Sequence, residues 1–241
     1  MARELYMENA YLREFESSVL DDRGDRLVLA TTAFYPTGGG QPCDTGVLRS
    51  TDGRSSKVIE VAKGPTGIEH VLEGTSFPRG AIVGGQIDWD RRYSHMRYHT
   101  ALHILSGVVF HQFGSGITGG QISQDRARMD FSLPDFNRTL AEDLIATANA
   151  VVAEDRPIHV RFLTRETALQ DPTLVRVAQE LMPEVSEVRL IDIAGFDVQA
   201  DGGTHVKSTR EVGTLELERI ENKGARNKRL TLRLGPPPAP R

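Results

Sequence analysis

"RYHTALHILSG", residues 97–107, places two histidines four residues apart in a segment that otherwise reads as a core-facing helix. A helix advances 3.6 residues per turn, so positions four apart stand one above the other on one face. The apolar stripe runs through Tyr98, Leu102, Leu105 and Val109, flanked by Ala101 and Val108. His99 and His103 fall outside that stripe, beside the small residues Ser106 and Gly107. Two parallel imidazoles next to a core, with space before them, suit a metal ion, although the same spacing also serves packed or surface pairs. A helix can supply only part of a coordination shell, so further ligands must come from elsewhere in the chain.

His95 extends the series to three histidines four apart. Positions eight apart lie about 12 Å apart along a helix axis, too far to share one ion. Only one adjacent pair can chelate, and spacing alone does not say which. Far downstream, "DGGTH" brings Asp201 and His205, again four apart, across a Gly-Gly pair that permits close approach of a bound group. His-x3-His and Asp-x3-His together make four ligands for a tetrahedral site. Asp201 beside two glycines reads equally well as a turn residue. Glu does not follow His99, so the HExxH pattern of one metalloprotease class is absent.

The 241 residues suffice for one large domain or two modest ones, and 39% hydrophobic with 26% charged residues is ordinary globular composition. A formal net charge of −4 predicts no nucleic-acid partner by itself, so any such site must be local. Cys43 is the single cysteine, which rules out an internal disulfide and fits a reducing compartment. No apolar run approaches a membrane span, and "MARELYMENAYLREFE" lacks the apolar centre of a signal peptide. The expectation is a cytoplasmic protein with no membrane association.

Residues 1–88 alternate in short segments, "RLVLATTAFY", "GVLRS", "SKVIEVAKG", "IEHVLEG" and "AIVGGQIDW", separated by turn residues, which predicts a small barrel or sandwich. Residues 89–234 mix helices with hairpins. The histidine helix is followed by a hairpin in "GGQISQDRARMDFSLP", an amphipathic helix in "NRTLAEDLIATANAVVAED" and a strand in "IHVRFLT". A short helix in "DPTLVRVAQELMP", strands in "VSEVRLIDIAG" and "FDVQA", and a closing hairpin of "TLELERI" with "RLTLRL" complete it. No regular βαβ rhythm is present, so this second domain is α+β. Residues 235–241, "GPPPAPR", read as a disordered tail.

Four stretches occur in order: "FYPTGGGQPCDTG" (34–46), "MRYHTALHIL" (96–105), "DVQADGGTHV" (197–206) and "IENKGARNKRL" (220–230). Together they resemble the editing domain of alanyl-tRNA synthetase and, more closely, the freestanding alanyl-tRNA editing hydrolases of the AlaX type. The resemblance implies an α+β fold: a small N-terminal β-barrel, as in the medium-sized members, followed by an α/β two-layer editing domain with an antiparallel sheet. It implies a metal-dependent trans-editing deacylase, a carboxylic ester hydrolase that removes serine, with glycine as a second candidate, from mischarged tRNA(Ala). The chain would act as a monomer carrying one zinc ion.

Matched to the family motifs, His99, His103 and His205 correspond to zinc ligands, which leaves His95 outside the site. The fourth ligand, usually the cysteine of CGGTHV, is Asp201 here. A carboxylate also binds zinc, less softly than a thiolate; alternatively three histidines and a water hold the metal without Asp201. Cys43 reads as a small buried residue of the other domain rather than a substitute ligand. Thr37 is the candidate to hydrogen-bond the serine hydroxyl, with Gly38, Gly39 and Gly40 allowing close backbone approach and Gln41 adding a polar contact; Thr37 and Gln41 are the candidate catalytic positions. Lys223, Arg226, Asn227 and Arg229 are the candidate tRNA contacts, within a run that also holds Lys228 and Arg233. Arg97 would face a phosphate or solvent.

Ester hydrolysis needs an activated water and a stabilised oxyanion, and no Ser-His-Asp order or nucleophile elbow points to a covalent intermediate. Two other readings stand beside this one. The first is a tRNA- or protein-binding module with a relict or structural metal site, to which the departure at Asp201 would belong. The second is an editor of a different mischarged tRNA, since the threonyl-tRNA synthetase editing domain has a similar two-pair pattern. The "GGGQP" stretch and the "NKG" turn favour the alanine branch.

Overall fold

A computed structural model describes residues 3–133, 135–171, 173–174, 186–224 and 227–237. A short strand β1 (Arg3–Glu4) and a single turn α1 (Leu5–Glu8) open the chain. They are followed by β2 (Glu14–Asp22), β3 (Arg26–Leu29), β4 (Thr31–Thr32), β5 (Gly46–Ser50), β6 (Ser55–Gly64), β7 (Gly67–Gly74) and β8 (Ile82–Ile87). Six of these close a barrel in the order β2-β3-β7-β6-β5-β8, and β1 pairs in parallel with β4. Closure removes exposed strand edges and decides between the barrel and sandwich readings. Leu27, Leu29, Phe34, Leu48, Val61 and Val83 fill its interior. Strand β2 escaped the sequence reading because Ser17 occupies an inward position; it is buried and its hydroxyl accepts the Thr31 N–H at 2.9 Å.

One interior group is polar. His70 Nδ1 lies 3.3 Å from the Leu27 carbonyl, which can only accept, so Nε2 accepts from the Thr32 hydroxyl at 2.8 Å. Burial pushes the His70 pKa down to about 4, and the ring is neutral at physiological pH.

The Gly-rich segment folds as a tight loop beside the barrel. Gly38 and Gln41 exchange backbone hydrogen bonds of 2.9 and 3.1 Å, and the Tyr35 hydroxyl donates to the Gly38 carbonyl at 3.0 Å. Positive φ at Gly39 (57°) and Gly40 (81°) explains glycine at those two positions. The loop ends at Asp44, whose fully buried carboxylate accepts the Tyr35 N–H at 2.6 Å and pairs with the fully buried guanidinium of Arg92. The same guanidinium donates to the Ala10 and Ala33 carbonyls at 2.8 and 2.5 Å. One arginine thus closes the loop, the entry segment and the end of β4 onto the helix that follows.

That helix, α2 (Trp89–Phe113), spans the division of the chain into compact units at Met1–His95 and Met96–Arg241, which falls inside the helix rather than at residue 88. The second unit continues with β9 (Ile117–Ile122), β10 (Ala127–Phe131), α3 (Arg138–Ala153), β11 (Ile158–Thr164), α4 (Arg165–Gln170), β12 (Glu187–Ile193) and β13 (Asp197–Ala200). A 3-10 turn (Thr209–Val212), β14 (Leu215–Asn222) and β15 (Lys228–Leu234) complete it. The strands form two antiparallel sheets, β14-β15-β10-β9 and β11-β12-β13, so the expected α+β class holds. Asn137 caps α3 by accepting the Leu140 N–H at 2.9 Å. Helix α4 was unforeseen, being too short to show a period. The helix expected in "DPTLVRVAQELMP" falls almost wholly outside the described residues, as do residues 238–241 of the tail. Gly235, at the start of that tail, donates its N–H to the Thr214 carbonyl at 2.9 Å.

Two expectations about α2 need correction. It has no single apolar stripe: from His95 to Val109 every residue is buried except His103, which is half-buried. Polar groups inside it are therefore bonded rather than solvated. Arg97 faces neither phosphate nor solvent. It is buried, and its guanidinium donates to the carbonyls of Glu211, Val212 and Gly235 at 2.6–3.2 Å, caging the end of the 3-10 turn and of β15. A long side chain reading as charged in sequence was available to satisfy carbonyls more than a hundred residues away.

Arg92→Met leaves Asp44 as an unpaired buried charge and is expected to destabilise the protein by about 3–5 kcal/mol. Denaturant unfolding followed by fluorescence measures this; a loss below about 1 kcal/mol, the range of an exposed pair, would contradict the assigned role.

Candidate metal centre

Residues 96–205 bring one helix and one turn together. Helix α2 carries His99 and His103 on successive turns, and the segment after β13 carries Asp201 and His205. The ligand atoms of these four residues all lie within 4.8 Å of one another, the only such His, Cys, Asp or Glu group of three or more found among the described residues. Asp201 Oδ1 is 3.5 Å from His99 Nε2 and 3.8 Å from His103 Nε2, and Oδ2 is 3.0 Å from His205 Nε2. The edge of a tetrahedron with bonds near 2.0 Å is about 3.3 Å, so three imidazole nitrogens and a carboxylate oxygen spread over as much as 4.8 Å stand open of zinc geometry. The donor set and its spacing fit a metal ion.

Local backbone chemistry holds each donor. Gly203 is required sterically: a Cβ there would fall against Cε1 and Nδ1 of the His99 ring. Gly202, its neighbour, has open space where a Cβ would stand. The Gly203 N–H donates to Asp201 Oδ2 at 2.5 Å, which leaves Oδ1 toward His99 and His103. Thr100, buried between the two helix histidines in sequence, places its hydroxyl 3.1 Å from His205 Nδ1 and accepts the Val206 N–H at 3.3 Å. This contact turns His205 Nε2 into the cluster, as second partners of metal-ligating histidines do. Arg189, buried on β12, donates to the Asp201 carbonyl at 2.9 Å. Below His103, Gln199 donates to the His103 carbonyl at 3.4 Å and to Asp197 at 2.5 Å, which docks the helix on β13.

The electrostatics suit metal binding. Burial pushes His99 down to about 4, with His103 and Arg189 acting in the same direction and Asp201 opposing. His205 is pushed well below its ordinary value, again by burial first. Burial alone would raise the Asp201 carboxyl, but His99, His103 and His205 outweigh it and hold the group well below the usual carboxylate range. At neutral pH His99 and His205 therefore offer unprotonated imidazole nitrogens beside the anionic Asp201, so little proton release from these groups is needed to load a cation.

Residues 188–231 match the family described as the threonyl and alanyl tRNA synthetase second additional domain, and residues 6–91 match class II (A) tRNA synthetases. The alanyl-tRNA editing protein AlaX-M of Saccharolobus solfataricus is 41% identical over 232 residues, covering 95% of this chain and 98% of its own length. The AlaX-M protein of Methanosarcina acetivorans is 41% identical over 239 residues, with the same coverage. This chain belongs to the alanyl-tRNA editing protein family. The alanine–tRNA ligase of Pyrococcus abyssi is 41% identical over 225 residues, 91% of this chain and 24% of the ligase. Alanyl-tRNA editing proteins are deacylating hydrolases, and the four-donor cluster of this member could hold a metal ion.

The remaining sequence candidates lie as follows. Thr37 is exposed, and its Oγ1 accepts the Cys43 N–H at 3.2 Å. Gln41 is fully buried, where it packs the Gly38–Gly40 turn, and Cys43 is a buried free thiol. His95 and His70 are buried in the first unit, and His111 contacts Asp197 at 3.5 Å. In the last hairpin, Lys223 pairs with Glu221 at 3.4 Å, and Arg229 with Asp130 through two bonds of 2.7 Å. Lys228 is buried and donates to Asn222 and to the Gly224 carbonyl, holding the turn that Asn227 joins through its N–H to Gly224 at 3.4 Å. Arg226 lies outside the described residues. Thr100 and Arg189 were missed; the available signal was a lone arginine in the apolar strand "EVRLIDI" and a polar residue wedged inside a histidine pair.

Gly203→Ala is expected to displace the His99 ring and lower zinc retained after dialysis by about tenfold or more, as disturbed second partners do. Gly202→Ala should retain zinc at the level of the unsubstituted protein. Equal retention in the two variants, read by metal analysis, would contradict the close approach of Gly203 to His99.

Proposed function

We propose that this chain is a trans-acting deacylase that hydrolyses the ester of serine, and secondarily glycine, misattached to tRNA(Ala), with a zinc ion held by His99, His103, Asp201 and His205. The observation that carries the reading is the convergence of those four donor atoms within 4.8 Å in a chain that matches alanyl-tRNA editing proteins along nearly its whole length. A zinc ion so held supplies Lewis acidity toward an ester carbonyl or a water molecule.

The residues of the chain account for the rest. A synthetase pocket for alanine separates ligands that differ by one small group by only about 1–3 kcal/mol, so a second sieve is needed. That sieve must recognise the serine hydroxyl. The Thr37 hydroxyl already accepts a backbone N–H, so its own proton is the part left to donate to a substrate oxygen. Gly38, Gly39 and Gly40 keep side chains away from that hydroxyl, and buried Gln41 holds the turn in shape. Alanine offers no hydroxyl and would be spared; glycine offers none either, so its release would rest on its smaller size and be slow beside that of serine. Lys223, Asn227, Arg226 and Arg229 would meet the RNA, with Arg229 oriented by Asp130.

Purified protein incubated with tRNA(Ala) bearing labelled serine, glycine or alanine tests this directly. Serine is expected to be released and alanine spared. His99→Ala and chelator treatment should abolish release, zinc should restore the chelated sample, and Thr37→Val should lower kcat/KM for serine by about tenfold. Bound but intact Ser-tRNA(Ala) would overturn the deacylase and leave a tRNA-binding module.

A further inference from the structure

The four-stranded sheet β14-β15-β10-β9 has two unlike faces. Ile122, Ala127, Met129, Phe131, Leu230 and Leu232 are buried on one side. Strand alternation sends the intervening residues to the other. There Gln121 of β9 pairs in register with Arg128 of β10, Arg128 with Thr231 of β15, and Thr231 with Arg219 of β14. One residue from each strand thus forms a row about 14 Å long, three strand spacings, in which every side chain donates hydrogen bonds and none is acidic. A cleft of about 260 Å³ opens along this row, and none of its lining residues belongs to the four-donor cluster.

The charges around the row are unbalanced. Arg126 and Arg233 share Glu218 at 3.5 and 3.0 Å and Asp125 at 3.1 and 4.0 Å, and Arg219 and Lys223 share Glu221 at 3.1 and 3.4 Å. Arg229 takes Asp130 to itself. Arg128, half-buried in the middle of the sheet, has no carboxylate within 4 Å among the described residues. Cations outnumber acids here in a chain whose formal net charge is −4. A single small anion would need one focus of donors; an extended row with an uncompensated central arginine matches a chain of phosphates.

We propose that this sheet face binds the phosphodiester backbone of the tRNA, with Arg128 and Arg219 as its principal contacts. The proposal rests on the reading of the chain as a tRNA deacylase and adds a surface that "IENKGARNKRL" alone does not contain. Arg128 supplies a positive charge that no carboxylate among the described residues approaches within 4 Å, and Arg219 can exchange Glu221 for a phosphate at the sheet edge. Such contacts position RNA without reading bases.

Binding of uncharged tRNA(Ala) is measured across a salt series for the unsubstituted protein, Arg128→Gln, Arg219→Gln, the double variant, and Lys57→Gln on the barrel as a charge-matched control. Thermal unfolding checks that each variant is folded, and exposed Arg219 on the edge strand keeps the test valid should the Arg128 variant fail to fold. The double variant is expected to bind about tenfold more weakly, with a log–log salt slope shallower by about 2, one unit for each lost phosphate contact. Its KM for Ser-tRNA(Ala) should rise with kcat unchanged, and the Lys57 variant should match the unsubstituted protein. Unchanged affinity and slope in a folded double variant, beside intact deacylation, would overturn the RNA surface and leave the deacylase standing. Failure of the unsubstituted protein both to bind and to deacylate would overturn both.

Discussion

A single half-buried carboxylate organises the second unit. Asp201 touches three imidazoles, accepts the Gly203 N–H and is anchored through its carbonyl by Arg189. An isolated ionised carboxylate in such a place would be strongly disfavoured, so it persists only because these groups surround it. The surrounding groups are in turn fixed by it: helix α2 must present two successive turns, and the chain must double back through two glycines to present His205. The packing of Gln199 and Thr100 against the same helix keeps both pieces in register. The centre and the local fold are therefore one structure.

Much of this was legible in the sequence because it depends on period. Histidines four apart on a helix and an Asp-x3-His pair across glycines carry their geometry in their spacing, and the four residues do converge. The barrel strands showed by alternation, and the two hairpins of the second unit by alternation around polar turns. What was not legible depends on partners distant in the chain. Arg97 looked solvated because nothing near it in sequence announces the carbonyls of Val212 and Gly235. Helix α2 was read as one-faced, whereas burial on all sides follows from neighbours that arrive a hundred residues later. Strand β2 hid behind a buried serine whose apolar substitute is a hydrogen bond.

The basic hairpin shows the same limit in electrostatics. Counting cations in "IENKGARNKRL" finds a patch, but Glu221 and Asp130 lie beside Lys223 and Arg229 and take part of that charge. Conversely, Arg128 attracted no notice in "DRARMDF", yet at the sheet centre no carboxylate among the described residues comes within 4 Å of it. Charge that can act on a partner is what remains after cross-strand pairing, and pairing is a property of the sheet.

The central claim is that His99, His103, Asp201 and His205 form one metal centre, with oxygen where the family pattern has sulfur. X-ray absorption at the zinc edge of the zinc-loaded protein tests it most directly. The account predicts a four-coordinate shell of nitrogen and oxygen only, at about 2.0–2.2 Å, with outer scattering from three imidazoles. A sulfur shell near about 2.3 Å, which would bring in Cys43, or fewer than three imidazoles, would contradict it.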